Sequence, residues 1–342
     1  MRKRIGLKTL ASELGMDAST VSRALRNDPR VRSETREAVQ RLALKLDYKP
    51  NAAARALRMG KSQRVAVLLS PPQQRFASPI FLELLSTLDQ RVRNAGKSLA
   101  VFAAHDRDEE TSIVQQILDE GLADGLSLGR TRKDDPRVGL LMERGLPFVT
   151  FGRTDVAEQH PLVEIDYSIA GRLAVRALGE STDHPIDILS APQGYNFADN
   201  YVRGALDEAG ELGLPTPVVH RIYMTEDGGE EAADTLLAER AHRAFACIQD
   251  SLAFGVFRST AKAGLTVGKE LAVFGGQNFP GSEHTAPPLS TFSTEDRHVA
   301  ELLSDVMLRH LARDGEAPSE GFEHHEIAPK PLLRRSHLLT QE

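Results

Sequence analysis

Cys247 is the only cysteine among 342 residues, so an internal disulfide and a cysteine-cluster metal site are both excluded. No run approaches the roughly 18 consecutive apolar residues that a membrane-spanning helix needs, so no membrane partner is expected. The opening Met1-Arg2-Lys3-Arg4 is basic but lacks the apolar core and cleavage site of a secretory signal. These absences point to the cytoplasm. There is no low-complexity segment or short repeat, and no leucine heptads follow Leu338-Leu339-Thr340-Gln341-Glu342.

What is present is an ordinary globular balance, 41% hydrophobic and 26% charged. The length exceeds one core, so two or three domains are expected. Charge is unevenly spread. Residues 1–62 hold 15 Lys and Arg against 6 Asp and Glu, a balance of +9, while the remainder stands at −15. A basic head on an acidic body suits phosphate binding confined to one end.

The head has a recognisable pattern. Leu7, Leu10, Ala11 and Leu14 form one apolar helical face. Gly15 can take the positive φ that ends a helix, and Asp17 is placed to cap the next one. In that second helix Val21, Ala24 and Leu25 share a face, leaving Ser19, Arg23 and Arg26 on the other. Two short helices about a glycine turn, with hydroxyls and arginines outward, read as a helix-turn-helix whose second helix can enter a major groove. Ser33 is expected to cap a third helix carrying Thr35, Val39, Leu42, Ala43 and Leu46, stopped at Tyr48-Lys49-Pro50-Asn51. An alanine-rich octet, 51–58, follows.

Thr9-Leu10-Ala11, Ser19-Thr20-Val21-Ser22-Arg23-Ala24-Leu25, Glu34-Thr35-Arg36, Tyr48-Lys49-Pro50-Asn51 and Ala54-Arg55-Ala56-Leu57 together closely resemble the head of LacI/GalR-type bacterial transcriptional regulators. The match is nearly gapless over the first sixty residues and continues more loosely to Leu333-Arg335-Ser336. Base reading is then expected from Ala18, Ser19 and Arg23. The resemblance implies a hinge in which Ala54, Arg55, Leu57 and Arg58 meet the minor groove. Its leucine would wedge into the centre of a palindromic operator of double-stranded DNA, bound by a homodimer.

From Arg64 onward, short β-rich runs alternate with amphipathic helical patterns. Expected strands are Val65-Ser70, Ser98-Phe102, Gly125-Leu128, Phe148-Phe151, Leu162-Ile165, Ile186-Leu189, His220-Tyr223, Ala244-Ile248 and Leu271-Phe274. Such alternation implies parallel sheets covered by helices, too many strands for one comfortable sheet, and a ligand cleft at strand carboxyl ends. The fold class is therefore an N-terminal all-α helix-turn-helix head plus an α/β two-subdomain body. The resemblance adds the fold of periplasmic sugar-binding proteins. The expected division is 1–49 for the head, 50–62 for the hinge and linker, and 63–340 for the effector-binding and dimerisation domain. Within the last, about 63–163 and 294–325 would form the subdomain nearer DNA, and about 164–293 and 326–340 the distal one.

Gly125-Leu126-Ser127-Leu128-Gly129 matches a serine-hydrolase GxSxG pattern, but a nucleophile elbow needs a strand before the serine and a helix directly after it. Arg130 to Pro136 does not read as a helix start, so Ser127 is taken as a buried strand residue. His324-His325-Glu326 would alternate faces in a strand, and Gly228-Gly229 and Gly275-Gly276 read as turns. No acid, base or nucleophile set emerges, so no enzyme, cofactor or metal is expected. The effector should meet Ser70, Phe76, His105, Arg130, Arg153, Asn196, Tyr201, Asp250 and Gln277, at strand ends or in the loops beyond. Asp250 is the best single choice, because Gln249-Asp250-Ser251 resembles the family's Asn-Asp segment. Two departures matter. Tyr201 stands where the family often has arginine, and Gln277-Asn278 where it commonly has an aspartate pair. Losing both charged groups points to a larger neutral saccharide. The whole reads as a ligand-controlled repressor; the alternative is a ligand-binding or transport component with the same α/β body.

Overall fold

The computed structural model describes residues 6–25, 27–46, 48, 61–69, 78–239, 244–316 and 319–339, and every structural statement below concerns these. The chain divides into two compact units, Met1–Ser62 and Gln63–Glu342.

The first unit packs α1 (Leu7–Glu13), α2 (Ala18–Leu25) and α3 (Ser33–Lys45) about Leu10, Val21, Ala24 and Val39, all sealed from solvent. The turn after α1 needs a left-handed residue, and Gly15 supplies it at φ +61°, with the Met16 N–H closing back on the Ala11 carbonyl at 3.0 Å. Arg32, not Ser33, occupies the N-cap of α3, and no side chain caps that end. Ser33 is the first helical residue instead. An eight-residue helix such as α2 is too short to persist alone in water, so the shared core holds it.

The second unit carries two parallel sheets. The first joins β1 (Arg64–Leu69), β2 (Ser98–Ala103), β3 (Gly125–Gly129), β4 (Phe148–Phe151), β5 (Leu162–Ile165) and β11 (His324–Ile327), in the order β11-β5-β4-β3-β1-β2. The second joins β6 (Asp187–Ser190), β7 (Val218–Arg221), β8 (Ala244–Cys247) and β9 (Ala272–Phe274), in the order β7-β6-β8-β9. β10 (Thr291–Ser293) and β12 (Lys330–Leu332) form a separate antiparallel pair. β6, β8 and β9 are buried along their whole length, as parallel strands covered on both faces must be.

The helices are α4 (Pro79–Asn94), α5 (Arg107–Asp119), α6 (Pro136–Glu143), α7 (Tyr167–Gly179), α8 (Asn196–Glu211), α9 (Glu226–Ala238), α10 (Asp250–Lys262) and α11 (Asp296–Ala312). α6 corrects the reading of 130–136. A helix does start there, at Pro136, with the Asp135 carboxylate accepting from the Arg137 N–H. It lies too far past β3 to make an elbow of Ser127, which is buried in mid-strand. Gly228-Gly229 is likewise no turn but part of α9, where the missing Cβ of Gly229 lets the Leu252 backbone of α10 approach. α7 and α8 meet in the same way. A Cβ on Gly171 would fall 2.0 Å from the Tyr201 carbonyl, and one on Gly204 1.9 Å from that of Ser168. This contact joins the first turn of α7, which carries Tyr167, to the middle of α8.

Candidate functional site

In the first unit Ser19 and Arg23 are exposed and Ala18 is half-buried, while Val21 and Ala24 of the same helix are sealed in the core. One face of α2 anchors it; the other presents a hydroxyl and a guanidinium. Ala54, Arg55, Leu57 and Arg58 lie outside the described residues, as do Ser70 and Phe76.

In the second unit the carboxyl ends of both sheets border a cleft enclosing about 700 Å3 of empty space, part of it open to solvent. Residues just beyond β3, β4 and β5 supply Arg130, Arg153 and Tyr167; residues beyond β6, β8 and β9 supply Asn196, Phe197, Gln249 and Gln277. Four sequence-assigned residues, Arg130, Arg153, Asn196 and Gln277, thus share one wall-to-wall space.

Its polar groups are already tied together. Arg153 Nε donates to Glu164 Oε1 at 2.7 Å, and the Asn196 amide donates to the Arg153 carbonyl. Burial works against the Arg153 charge, but the Glu164 hydrogen bond and carboxylate hold its pKa above the ordinary value. Arg130 is 8% exposed, and burial pushes its pKa down against the opposing pull of Tyr195 and Glu110. The Gln249 amide donates to Gln277 Oε1 at 3.1 Å, and the Gln277 amide donates to the Tyr167 hydroxyl. Gln277 holds a left-handed φ of +76° to do so. Tyr167 and Phe197 lie 5.4 Å apart, ring centre to ring centre, so an apolar floor faces these amides.

Three expected residues lie elsewhere. His105 is exposed and bonded through both its backbone N–H, at 2.6 Å, and Nδ1, at 2.9 Å, to Glu109 Oε2, a local turn contact. Tyr201 is fully buried in the core, with no hydrogen-bond partner for its hydroxyl; burial, then the neighbouring Cys247, raises its pKa well above the ordinary value. Asp250 is also sealed, and all its recorded acceptor contacts are internal. It accepts from the Gly276 and Phe279 N–H groups at 2.6 and 2.7 Å, from Thr291 Oγ1 at 2.8 Å, and from Ser282 Oγ. Its burial outweighs those bonds and pushes its pKa up to about 6. Asp250 therefore pins the loop carrying Gln277 rather than lining the cleft. Its neighbour Gln249 is the residue on the wall.

Tyr167, Phe197 and Glu164 were missed by sequence reasoning. The strand-end rule could have found Tyr167 and Glu164, since they flank the end of β5, an expected strand.

The arrangement combines two tilted aromatic rings with amides, guanidinium groups and a carboxylate, which suits a polyhydroxylated ligand. Arg153 is matched by Glu164 and by Glu326 at 3.6 Å.

A family model described as bacterial regulatory proteins, lacI family, matches residues 7–51, and one described as a periplasmic binding protein-like domain matches residues 188–336. The HTH-type transcriptional regulator CelR of Thermobifida fusca is 30% identical, over 100% of this chain and 98% of that protein. A solved CelR–cellobiose complex superposes with a TM-score of 0.73 at 23% identity, covering 97% of this chain and 100% of that one. The lac repressor dimer bound to operator and the anti-inducer ONPF gives 0.83 at 20% identity, covering 98% and 100%.

Proposed function

The chain belongs to the lacI family of bacterial regulatory proteins, a DNA-binding transcriptional regulator under ligand control, and we propose that it is a repressor answering to a neutral saccharide. The effector is bound in the cleft between the two sheets by Arg130, Arg153, Asn196 and Gln277, with Tyr167 and Phe197 as the stacking surface. The observation that carries this reading is the cleft wall itself, where aromatic faces stand beside amides and the Arg153 charge is matched by Glu164. A regulator named CelR, similar in fold, has been solved with cellobiose, which makes β-linked disaccharides the first probes.

The operator-binding unit is a homodimer in the cytoplasm. Its head is residues 1–49, with Ala18, Ser19 and Arg23 reading bases. Residues 50–62 form the hinge, whose Ala54, Arg55, Leu57 and Arg58 meet the minor groove. No catalytic role is assigned to any residue.

A thermal-shift screen against neutral mono-, di- and trisaccharides, sugar phosphates and purines tests the reading, because a ligand that binds only the folded state raises the melting temperature. A neutral saccharide should raise it, and substituting Gln277→Ala or Arg153→Ala should abolish the shift. Stabilisation by sugar phosphates or purines alone would overturn the neutral-saccharide assignment.

A further inference from the structure

We propose that Tyr195, which does not itself line the cleft, is a positioning residue that clasps the two sheets of the body together across it. The residue follows β6 of the second sheet, yet its ring is held by two arginines from the first. The Arg107 guanidinium carbon lies 4.7 Å from the ring centre and that of Arg130 5.7 Å, both within the about 6 Å over which a cation is drawn to an aromatic face. Within its own sheet Tyr195 stacks on Phe197, with centres 6.0 Å apart and planes 29° from parallel. It therefore touches one cleft-wall residue from each sheet, Arg130 and Phe197.

The backbone reinforces the clasp. Arg132 and Tyr195 form an antiparallel bridge, the Asn196 N–H donates to the Thr131 carbonyl at 3.0 Å, and Arg107 donates to the Gln193 carbonyl at 3.2 Å. Each bond joins a loop or helix start of the first sheet to the loop after β6. Both sides are braced. Asp106 caps α5 by accepting from the Asp108 and Glu109 N–H groups at 3.0 and 2.8 Å, fixing the turn that carries Arg107. Arg132 is paired with the buried Glu110, which Arg137 also meets at 3.0 Å. Opposite, Gly194 adopts φ +94° with its N–H on Asp199 at 3.0 Å, and a Cβ there would stand 3.7 Å from Arg107.

These contacts need no ligand. The clasp biases the body toward the closed arrangement before an effector arrives, and so sets the fraction of molecules competent to bind it. Arg107 separates this role from plain packing, because it is exposed and contributes nothing to the core. Removing it should leave the fold intact and shift the closed-to-open ratio.

The test is a pair of spin labels on the full chain, at Glu120→Cys beside the first sheet and Glu231→Cys beside the second, both exposed positions. Cys247 is buried and stays unlabelled. Without ligand, Arg107→Ala should raise the long-distance population relative to the short one by about three- to tenfold, the loss expected for one cation–ring contact, and Tyr195→Leu, which loses two such contacts, should raise it further. Tyr195→Phe keeps the ring face but loses the hydroxyl's hydrogen bond with Arg130, so it should fall between the parent and Tyr195→Leu. Unchanged distances in Arg107→Ala would overturn the proposal, and that variant decides the matter if Tyr195→Leu fails to fold. Cellobiose added afterwards keeps the two readings apart. A parent that does not bind it counts against that disaccharide as effector and leaves the ligand-free distances to judge the clasp.

Discussion

Asp250 shows how one residue's chemistry can look like a ligand contact and serve the scaffold. Its carboxylate accepts from two backbone N–H groups and two hydroxyls while fully buried. Removing it in Asp250→Ala strands the Gly276 and Phe279 donors, so a loss of about 3 kcal/mol or more is expected in denaturant unfolding. A change under about 1 kcal/mol would contradict that role. The carboxyl also titrates in a predictable direction. Its folded pKa, about 6, lies above the ordinary 3.8, so the folded state holds this proton more tightly. Stability from this source is fully present below pH 3.8, falls as pH rises to about 6, and stays lost above. Wild type should therefore gain stability relative to Asp250→Asn between pH 7 and pH 4.5, a window spanning the upper part of that shift. Tyr201 offers the opposite test. Its hydroxyl is buried without a partner, so Tyr201→Phe should be neutral or stabilising by about 1 kcal/mol. A clear loss of stability would place an unseen partner on that oxygen.

Helix α2 must both bury one face and present the other, and its stability comes from the core beneath. Leu10→Ala opens that core and should cost about 2–4 kcal/mol, melting the head while the separate body stays folded. Arg23→Ala leaves the core untouched. It should relax sequence preference at one position of each half-site, as loss of a bidentate guanine contact worth about 1–3 kcal/mol does. A binding-site selection with unchanged preference would remove Arg23 from base reading. The elements most legible in the sequence are those with strong periodicity or mainly apolar, β-branched runs. Phe148-Phe151 and Leu162-Ile165 coincide with β4 and β5. β7 begins at Val218, upstream of the expected His220 and directly after Pro217. β10 and β12 are three residues long and carry no alternation to detect. Gly228-Gly229 misled for a physical reason. Glycine serves a turn through its φ and a helix crossing through its missing Cβ, and sequence alone does not separate the two. The cleft was legible only as strand ends. Which neighbour faces the space, Gln249 or Asp250, depends on a helix start that spacing does not resolve.

At the scale of the whole molecule, a palindromic operator requires two heads at matched spacing, which the body must hold. Sedimentation at micromolar concentration should find a dimer with and without ligand, and a monomer in both would contradict it. The cleft and the operator are then coupled only if the effector binds two global states unequally, since equal affinity shifts nothing however tight the binding. Coupling is also reciprocal, because operator DNA must change effector affinity by the same factor as effector changes operator affinity. Control of operator affinity from the cleft stands or falls on one pair of titrations. Operator binding is measured with and without a saturating saccharide that raises the melting temperature, and saccharide binding with and without saturating operator. Both affinities should change by one common factor, of about 5- to 150-fold. A saccharide that binds the cleft and leaves operator affinity unchanged would contradict ligand control itself.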